Sequence, residues 1–337
     1  MDRLRSLLPG EEPVSTVVML VCLGQYLLVG LQSGGIIDAS AIALLRNGAN
    51  WAPYTFAGGE WWRLITYAFL HGGLLHLFFN GWILSSLGPS LEQRLGSGHF
   101  GALYVLAAVV GGLASASLGG GISVGASGAV MGLLGSAAAL AHFEERNPRR
   151  RDQIVFIIGL NLLIGFAGDV AGMKVDNWCH LGGLFAGLAW TFAFVKLSRR
   201  QGRLLRRLRP VGGLLFAASV GAVLWQHVWV RDVAPVRVEA NRLSPQQTAA
   251  LWHQCSARLL ASDWPGAISP CRTWQYAEPF HGLGYATMAA LYEVAGDAAR
   301  GEAERAILIE LYPDAARAED RTVSPEERLR AYARVEQ

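Results

Sequence analysis

Three short stretches of this sequence hold residues that could do chemistry together. GASG at Gly125–Gly128 sets Ser127 between glycines, after an uncharged glycine-rich loop and where a helix would begin. DNWCHLGGLFAG places His180 just inside an apolar run, followed by Gly182, Gly183 and Gly187. HGGLLHLFFNGW supplies His71, His76 and Asn80, with His76 and Asn80 four apart on one helical face. A hydroxyl is a weak nucleophile and needs a base beside it. Histidine suits that task because its pKa lies near neutrality. The oxyanion that forms on attack needs donors aimed at it, which His76, Asn80 and backbone N–H groups at a helix start could provide. The chemistry these residues suggest is acyl transfer. Each also has a plainer use: a histidine can satisfy a carbonyl, a serine can bond back to its own helix, and glycines at spacing four can serve close packing.

The elements that must carry these residues are apolar. Of 337 residues, 52% are hydrophobic and 16% charged. No Asp, Glu, Lys or Arg occurs from Leu64 to Leu91 or from Leu95 to Phe143. Such lengths exceed the roughly 20 residues that a helix needs to cross a bilayer. Seven apolar segments can be drawn, near Val14–Leu31, Leu70–Leu87, Phe100–Leu118, Ser127–Phe143, Ile154–Val170, Trp178–Leu197 and Val211–Val230. Glycines Gly128 and Gly132 on one span, and Gly183 and Gly187 on another, would let two helices approach and bring Ser127 to His180. The N-terminus does not read as a cleaved signal peptide, since Glu11 and Glu12 flank its apolar run.

Basic residues orient the spans. Seven Lys and Arg fall in Lys196–Arg209 with no acid, and Arg146, Arg149, Arg150 and Arg151 share another loop. Between apolar segments such a run reads as a cytoplasmic loop rather than a nucleic-acid site. With residues 1–12 in the cytoplasm, an odd number of spans sends the C-terminal part outside. From Arg231 to Gln337 the chain carries 12 Arg against 15 acids, unlike the basic remainder, which suggests a separate soluble domain. That region repeats at 34 residues (Asp263 and Asp297, Pro279 and Pro313), the tetratricopeptide period. Ala267 and Tyr292 fit that register, while Gly301 departs from it. In it Cys255 and Cys271 face each other. An exported domain permits a disulfide between them; two buried thiols are the alternative.

The three stretches, in this order on three spans, resemble the rhomboid intramembrane proteases. GASG matches the family's Gly-x-Ser-Gly motif opening a fourth span. His71, His76 and Asn80 match its second-span pattern, and His180, Gly183 and Gly187 match its sixth. Trp62–Arg63 matches a Trp-Arg pair in the family's long first loop. The resemblance covers roughly residues 10 to 230. It implies a six-helix bundle with a cavity open to the outer side. It also implies a Ser127–His180 dyad, an oxyanion hole from His76, Asn80 and backbone N–H, and single-span membrane proteins as substrates. Met131 stands where some members carry an aromatic stacked on the catalytic histidine, and a thioether can still contact an imidazole.

The expectation is therefore an all-α polytopic membrane protein in the bacterial plasma membrane. A cytoplasmic segment, 1–12, precedes a six-span catalytic core, 13–200. A basic loop and a seventh span, 201–234, lead to a soluble tetratricopeptide-like domain, 235–337. Neither cofactor nor metal is expected, although His71, His76 and His180 could ligate one by residue type. The partners expected are membrane-protein substrates, the lipid bilayer and a peptide or protein for the C-terminal domain. One rival is a catalytically silent rhomboid-like protein that escorts membrane clients. Another is a transporter with histidines lining its path, against which no inverted repeat is visible.

Overall fold

The structure, a computed structural model, describes residues 13–33, 37, 39–57, 60–119, 121–144, 148–166, 175–228, 244–278 and 281–335. Pro279, used for the 34-residue spacing, lies outside them. The regular elements among the described residues are helices, with one isolated β-bridge. They divide into two compact units: residues 1–51 with 62–225, and residues 52–61 with 226–337.

The first unit contains α1 (Pro13–Ser33), α2 (Ala41–Arg46), α3 (Arg63–Thr66), α4 (Leu74–Leu95), α5 (Ser97–Ala114), α6 (Ser127–Glu144), α7 (Pro148–Phe166) and α8 (Asn177–Val228). Among the described residues, four helical stretches are long and apolar enough to cross a membrane: Pro13–Leu31, Ser97–Gly119, Asn177–Leu205 and Arg207–Leu224. The apolar run Ser127–Phe143 is a shorter helix, and α4 continues past its apolar part to Glu92 and Arg94. The protein is thus a multi-pass membrane protein. Large apolar side chains face outward, among them Phe78, Phe79, Trp82, Phe156 and Phe185, as lipid requires. Inside, Phe69, Phe100, Leu103, Tyr104, Met131 and Leu134 form the core.

Two features differ from the expected layout. The basic stretch after Lys196 is helix rather than loop. Helical geometry in α8 breaks only at Gln201 (φ −139°, ψ 47°). Arg and Leu are strong helix formers, and the positive-inside rule assigns a side, not a conformation. The second span begins later than Leu70, because Tyr67–Phe69 is a 3₁₀ turn and Leu70 is extended. At its far end buried Glu92 accepts hydrogen bonds from Val14 N, Ser15 N and Ser15 Oγ at 2.9–3.0 Å. It thereby satisfies open donors at the start of α1.

The second unit contains α9 (Pro245–Leu260), α10 (Trp264–Ala277), α11 (Gly282–Val294), α12 (Ala298–Leu311), α13 (Pro313–Ala318) and α14 (Pro325–Tyr332). The 34-residue spacing has a local cause. Asp263 and Asp297 cap α10 and α12 by accepting from Gly266 N and Arg300 N. The residues before them, Ser262 and Gly296, both turn through positive φ, 58° and 76°. Trp252, Leu259, Trp274, Met288, Leu291 and Leu329 form the core, with Trp252 and Trp274 rings 4.5 Å apart. A disulfide joins Cys255 on α9 to Cys271 on α10. Residues 52–61 of the first loop group with this unit, alongside the expected 235–337.

Candidate active site

Ser127 is the first residue of α6, with Ala126 before it; Ala126 O accepts from Val130 N at 2.8 Å. The N–H groups of that first turn have no partner within their own helix, which makes the position attractive to an anion. The loop leading in is held on both sides. Ser123 exchanges two backbone bonds with Asn50, at 2.8 and 3.0 Å, and Gly125 N donates to Tyr67 O at 3.0 Å.

Gly125 has φ +119°, which L side chains rarely adopt. It also lacks room for one. A Cβ there would stand 2.6 Å from His76 Nε2 and 3.7 Å from Ser127 Oγ. The histidine edge and the serine hydroxyl thus border the same small space. His71, fully buried, sets its ring edge-on to His76 with centroids 5.1 Å apart. Asn80 is buried one turn further along α4, and its Nδ2 donates to His76 O at 2.9 Å. That bond uses one of the amide's two N–H groups.

His180 lies in the first turn of α8, buried. Asp176 caps this turn: its carboxylate accepts from Cys179 N and Ser115 Oγ, and its carbonyl accepts from His180 N. Asp176 is therefore bound to the backbone and to Ser115. The Nδ1 of His180 has no hydrogen-bond partner among the described residues.

Glycine brings the two helix starts together. A Cβ on Gly183 would collide with Gly128 O, and one on Gly187 with Gly132 O. A Cβ on Gly128 would meet Cys179 Sγ at 2.5 Å. Residues next to Ser127 and next to His180 are thus in van der Waals contact. On the other flank of α8, a Cβ on Gly182 would meet Val110 O at 2.8 Å. Met131 is buried in the core on the same helix as Ser127.

Trp62 and Arg63 stand apart from these groups. Arg63 is fully buried, with Nη1 donating to Leu45 O and Ala49 O at 2.7 Å and its guanidinium 4.8 Å from the Trp62 ring centre. It ties the end of α2 to the loop that follows. His71, His76 and His180 form no group of three or more metal-ligating side chains among the described residues. The groups that sequence reasoning missed are Asn50, Tyr67 and Asp176. Asp176 had a signal, an acid three residues before Cys179 in N-cap position. Asn50 and Tyr67 had none: Asn50 bonds to backbone, and the Tyr67 hydroxyl meets Ala108 O and Cys179 Sγ, all distant in sequence.

Fold and site define a polytopic helical membrane protein with a serine and a histidine at adjoining helix starts. Residues 58–197 match the family model described as "Rhomboid domain". The chain has rhomboid protease homologues. Over 167 residues it is 37% identical to "Rhomboid protease GluP" of Bacillus subtilis (strain 168), covering 49% of this chain and 32% of that protein. Over 150 residues it is 41% identical to "RHOMBOID-like protein 5" of Arabidopsis thaliana, covering 42% and 46%. Over 194 residues it is 32% identical to "Rhomboid protease GlpG" of Serratia proteamaculans (strain 568), covering 56% and 65%. The chain thus spans from a third to two thirds of the length of these relatives.

Proposed function

We propose that this protein is an intramembrane serine endopeptidase that cleaves single-span membrane proteins near the outer membrane face. The observation that carries the reading is the space at Gly125, bordered at once by Ser127 Oγ and His76 Nε2 beside the open N–H groups of α6. In the reaction His180 takes the proton of Ser127 Oγ as that oxygen bonds to the substrate carbonyl carbon. The carbonyl oxygen, now negative, is held by His76, by the second N–H of Asn80 and by the Ser127 backbone N–H. Collapse breaks the peptide bond, with the His180 proton passing to the leaving amine. Water, deprotonated by His180, then releases the acyl group and restores Ser127. With Asp176 engaged elsewhere, packing must orient the imidazole; Met131 and Cys179 are buried in the core of the same unit.

The make-up of the second unit supports a seven-span topology. One compact unit contains both 52–61, between the first and second spans, and the chain after the last span. A folded unit cannot straddle a bilayer, so both stretches lie on one side and an even number of crossings separates them. Six follow if α4, α6 and α7 cross along with α5 and the two halves of α8, the three stretches long and apolar enough by themselves. With basic residues inside, that side is the exterior, where the Cys255–Cys271 disulfide is stable. The 34-residue equivalence of α9–α10 and α11–α12 supports a tetratricopeptide-like repeat, a shape suited to a peptide or protein partner.

The test is cleavage of a single-span substrate in proteoliposomes by the native protein, Ser127→Ala and His180→Ala. Both variants should lose cleavage, and a fluorophosphonate should label the native protein at Ser127 only. Cleavage that survives Ser127→Ala would overturn the mechanism. A native protein that neither cleaves nor labels would point to client binding.

A further inference from the structure

Within the membrane unit, Tyr67 bonds both to the loop that ends at Ser127 and to the helix start that carries His180. Its backbone opens the 3₁₀ turn Tyr67–Phe69 that leads towards α4. Its carbonyl accepts from Leu70 N at 3.1 Å, which closes that turn, and from Gly125 N at 3.0 Å. Gly125 is two residues before Ser127. The side chain is fully buried. Its hydroxyl donates to Ala108 O in α5 at 2.7 Å and stands 3.3 Å from Sγ of Cys179, the residue before His180.

The hydroxyl bonds have a direction. A phenol carries one proton, and a carbonyl oxygen can only accept. That proton goes to Ala108 O, so the Tyr67 oxygen is left as the acceptor for the Cys179 thiol. Missing side chains make room for this arrangement. A Cβ on Gly111 would stand 3.3 Å from the Tyr67 oxygen, and one on Gly128 would stand 3.2 Å from it. A Cβ on Gly112 would come within 2.9 Å of the ring at Cε1. Three helices, α5, α6 and α8, thus converge on the hydroxyl end of one ring. Cys179 is held at both ends, at its N–H by the Asp176 carboxylate and at its sulfur by Tyr67.

We infer that Tyr67 is a positioning residue for the Ser127–His180 pair. Its carbonyl sets the loop that delivers Ser127, and its hydroxyl sets the helix start that delivers His180. One rigid ring thereby fixes the spacing of nucleophile and base. The inference rests on the proteolytic reading for its consequence in rate, but not for the grip on α8. Removing the hydroxyl leaves the carbonyl bond to Gly125 in place and releases Cys179, so the start of α8 can shift against α6. Proton transfer needs Ser127 Oγ and His180 within hydrogen-bond reach, so the cost falls on kcat. KM stays nearly unchanged, because Tyr67 has no exposed surface with which to touch a substrate.

The experiment uses the full chain in proteoliposomes and compares the native protein with Tyr67→Phe, Cys179→Ala and Cys179→Ser. Tyr67→Phe keeps the ring and loses only the hydroxyl. Its kcat should fall about tenfold at constant KM, and fluorophosphonate labelling of Ser127 should slow by the same factor. Cys179→Ala should lose about threefold in kcat, and Cys179→Ser, which keeps a donor in that place, should stay within about twofold of native. Hydrogen exchange in Tyr67→Phe should quicken in peptides covering 176–181 and keep its native rate in 121–126. A native kcat in Tyr67→Phe would overturn the inference, as would a raised KM with kcat kept. Exchange that is unchanged in 176–181, or that rises equally in both segments, would overturn it too. If the native protein neither cleaves nor labels, the proteolytic reading fails, while exchange in 176–181 still decides whether Tyr67 holds α8.

Discussion

The two units are held together by different means, and the difference follows their solvents. In the first unit α6 and α8 meet backbone against backbone at Gly128–Gly183 and Gly132–Gly187, with large side chains turned to lipid. Lipid gives helices no hydrophobic reason to associate, so close contact and hydrogen bonds must do it. The second unit has the reverse arrangement: tryptophans inside, a disulfide, capped helices and ion pairs. Arg305 and Arg328 both bind Glu293 and Glu319, and Arg272 binds Glu304 and Tyr292. What positions Ser127 and His180 is therefore the absence of side chains, while what stabilises the C-terminal unit is their presence.

The comparison breaks most sharply at Gly183. Gly183→Val should abolish cleavage, because a side chain there forces α8 away from Gly128 O, and misplacement by about 1 Å can cost about a hundredfold in rate. Protease resistance of the C-terminal unit should stay native in that variant; if it falls too, the units do not respond separately. Next in size is the disulfide. Cys255→Ser with Cys271→Ser should destabilise the C-terminal unit by about 3 kcal/mol for a loop of this length. Urea-dependent proteolysis of the full chain would measure it, and a thermal shift confined to the membrane unit would contradict it. The smallest effect is the pH response of Glu293. Partial burial pushes its carboxyl up, but hydrogen bonds and charge from Arg305 and Arg328 outweigh this and hold it below the usual carboxylate range. A depressed value means stability that is present above the unfolded pKa, near 4.3, and lost as pH falls through the folded one. The C-terminal unit should therefore hold its urea midpoint from pH 7 to about 5 and lose stability below about 4. Glu293→Gln should flatten part of that slope, by about 1 kcal/mol or less, since water still reaches the carboxylate.

The glycine pairs were legible in the sequence because glycine at spacing four in an apolar span has few other uses. Ser127 and His180 were legible for the related reason that polar groups in lipid need a purpose. The Cys255–Cys271 juxtaposition was legible through the 34-residue period, whose physical root is the pair of Asp caps. Glu92 was not, because an acid at the end of an apolar run looks the same whether it meets water or the N-terminus of α1 far away in sequence. The helical continuation through Arg199–Arg209 was hidden by a charge rule that speaks of sides alone. The intake of residues 52–61 left no pattern at all: Pro53, Tyr54, Thr55 and Phe56 have no period, and their partners come more than two hundred residues later.

That last feature sets an order of events during synthesis. Chains fold roughly as they emerge, early segments first. Residues 52–61 are made before most of the membrane-embedded chain, but the helices that enclose them are made after all of it. Tyr54 must therefore stay uncommitted while the later spans insert, and the second unit can close only once its final helices have been delivered. A nascent chain that stalls between α8 and α12 already contains Ser127 and His180, yet the residues that pack against Pro53–Ala57 have not been made. Completion of the polypeptide is thereby written into the packing of Pro53–Ala57 against α12.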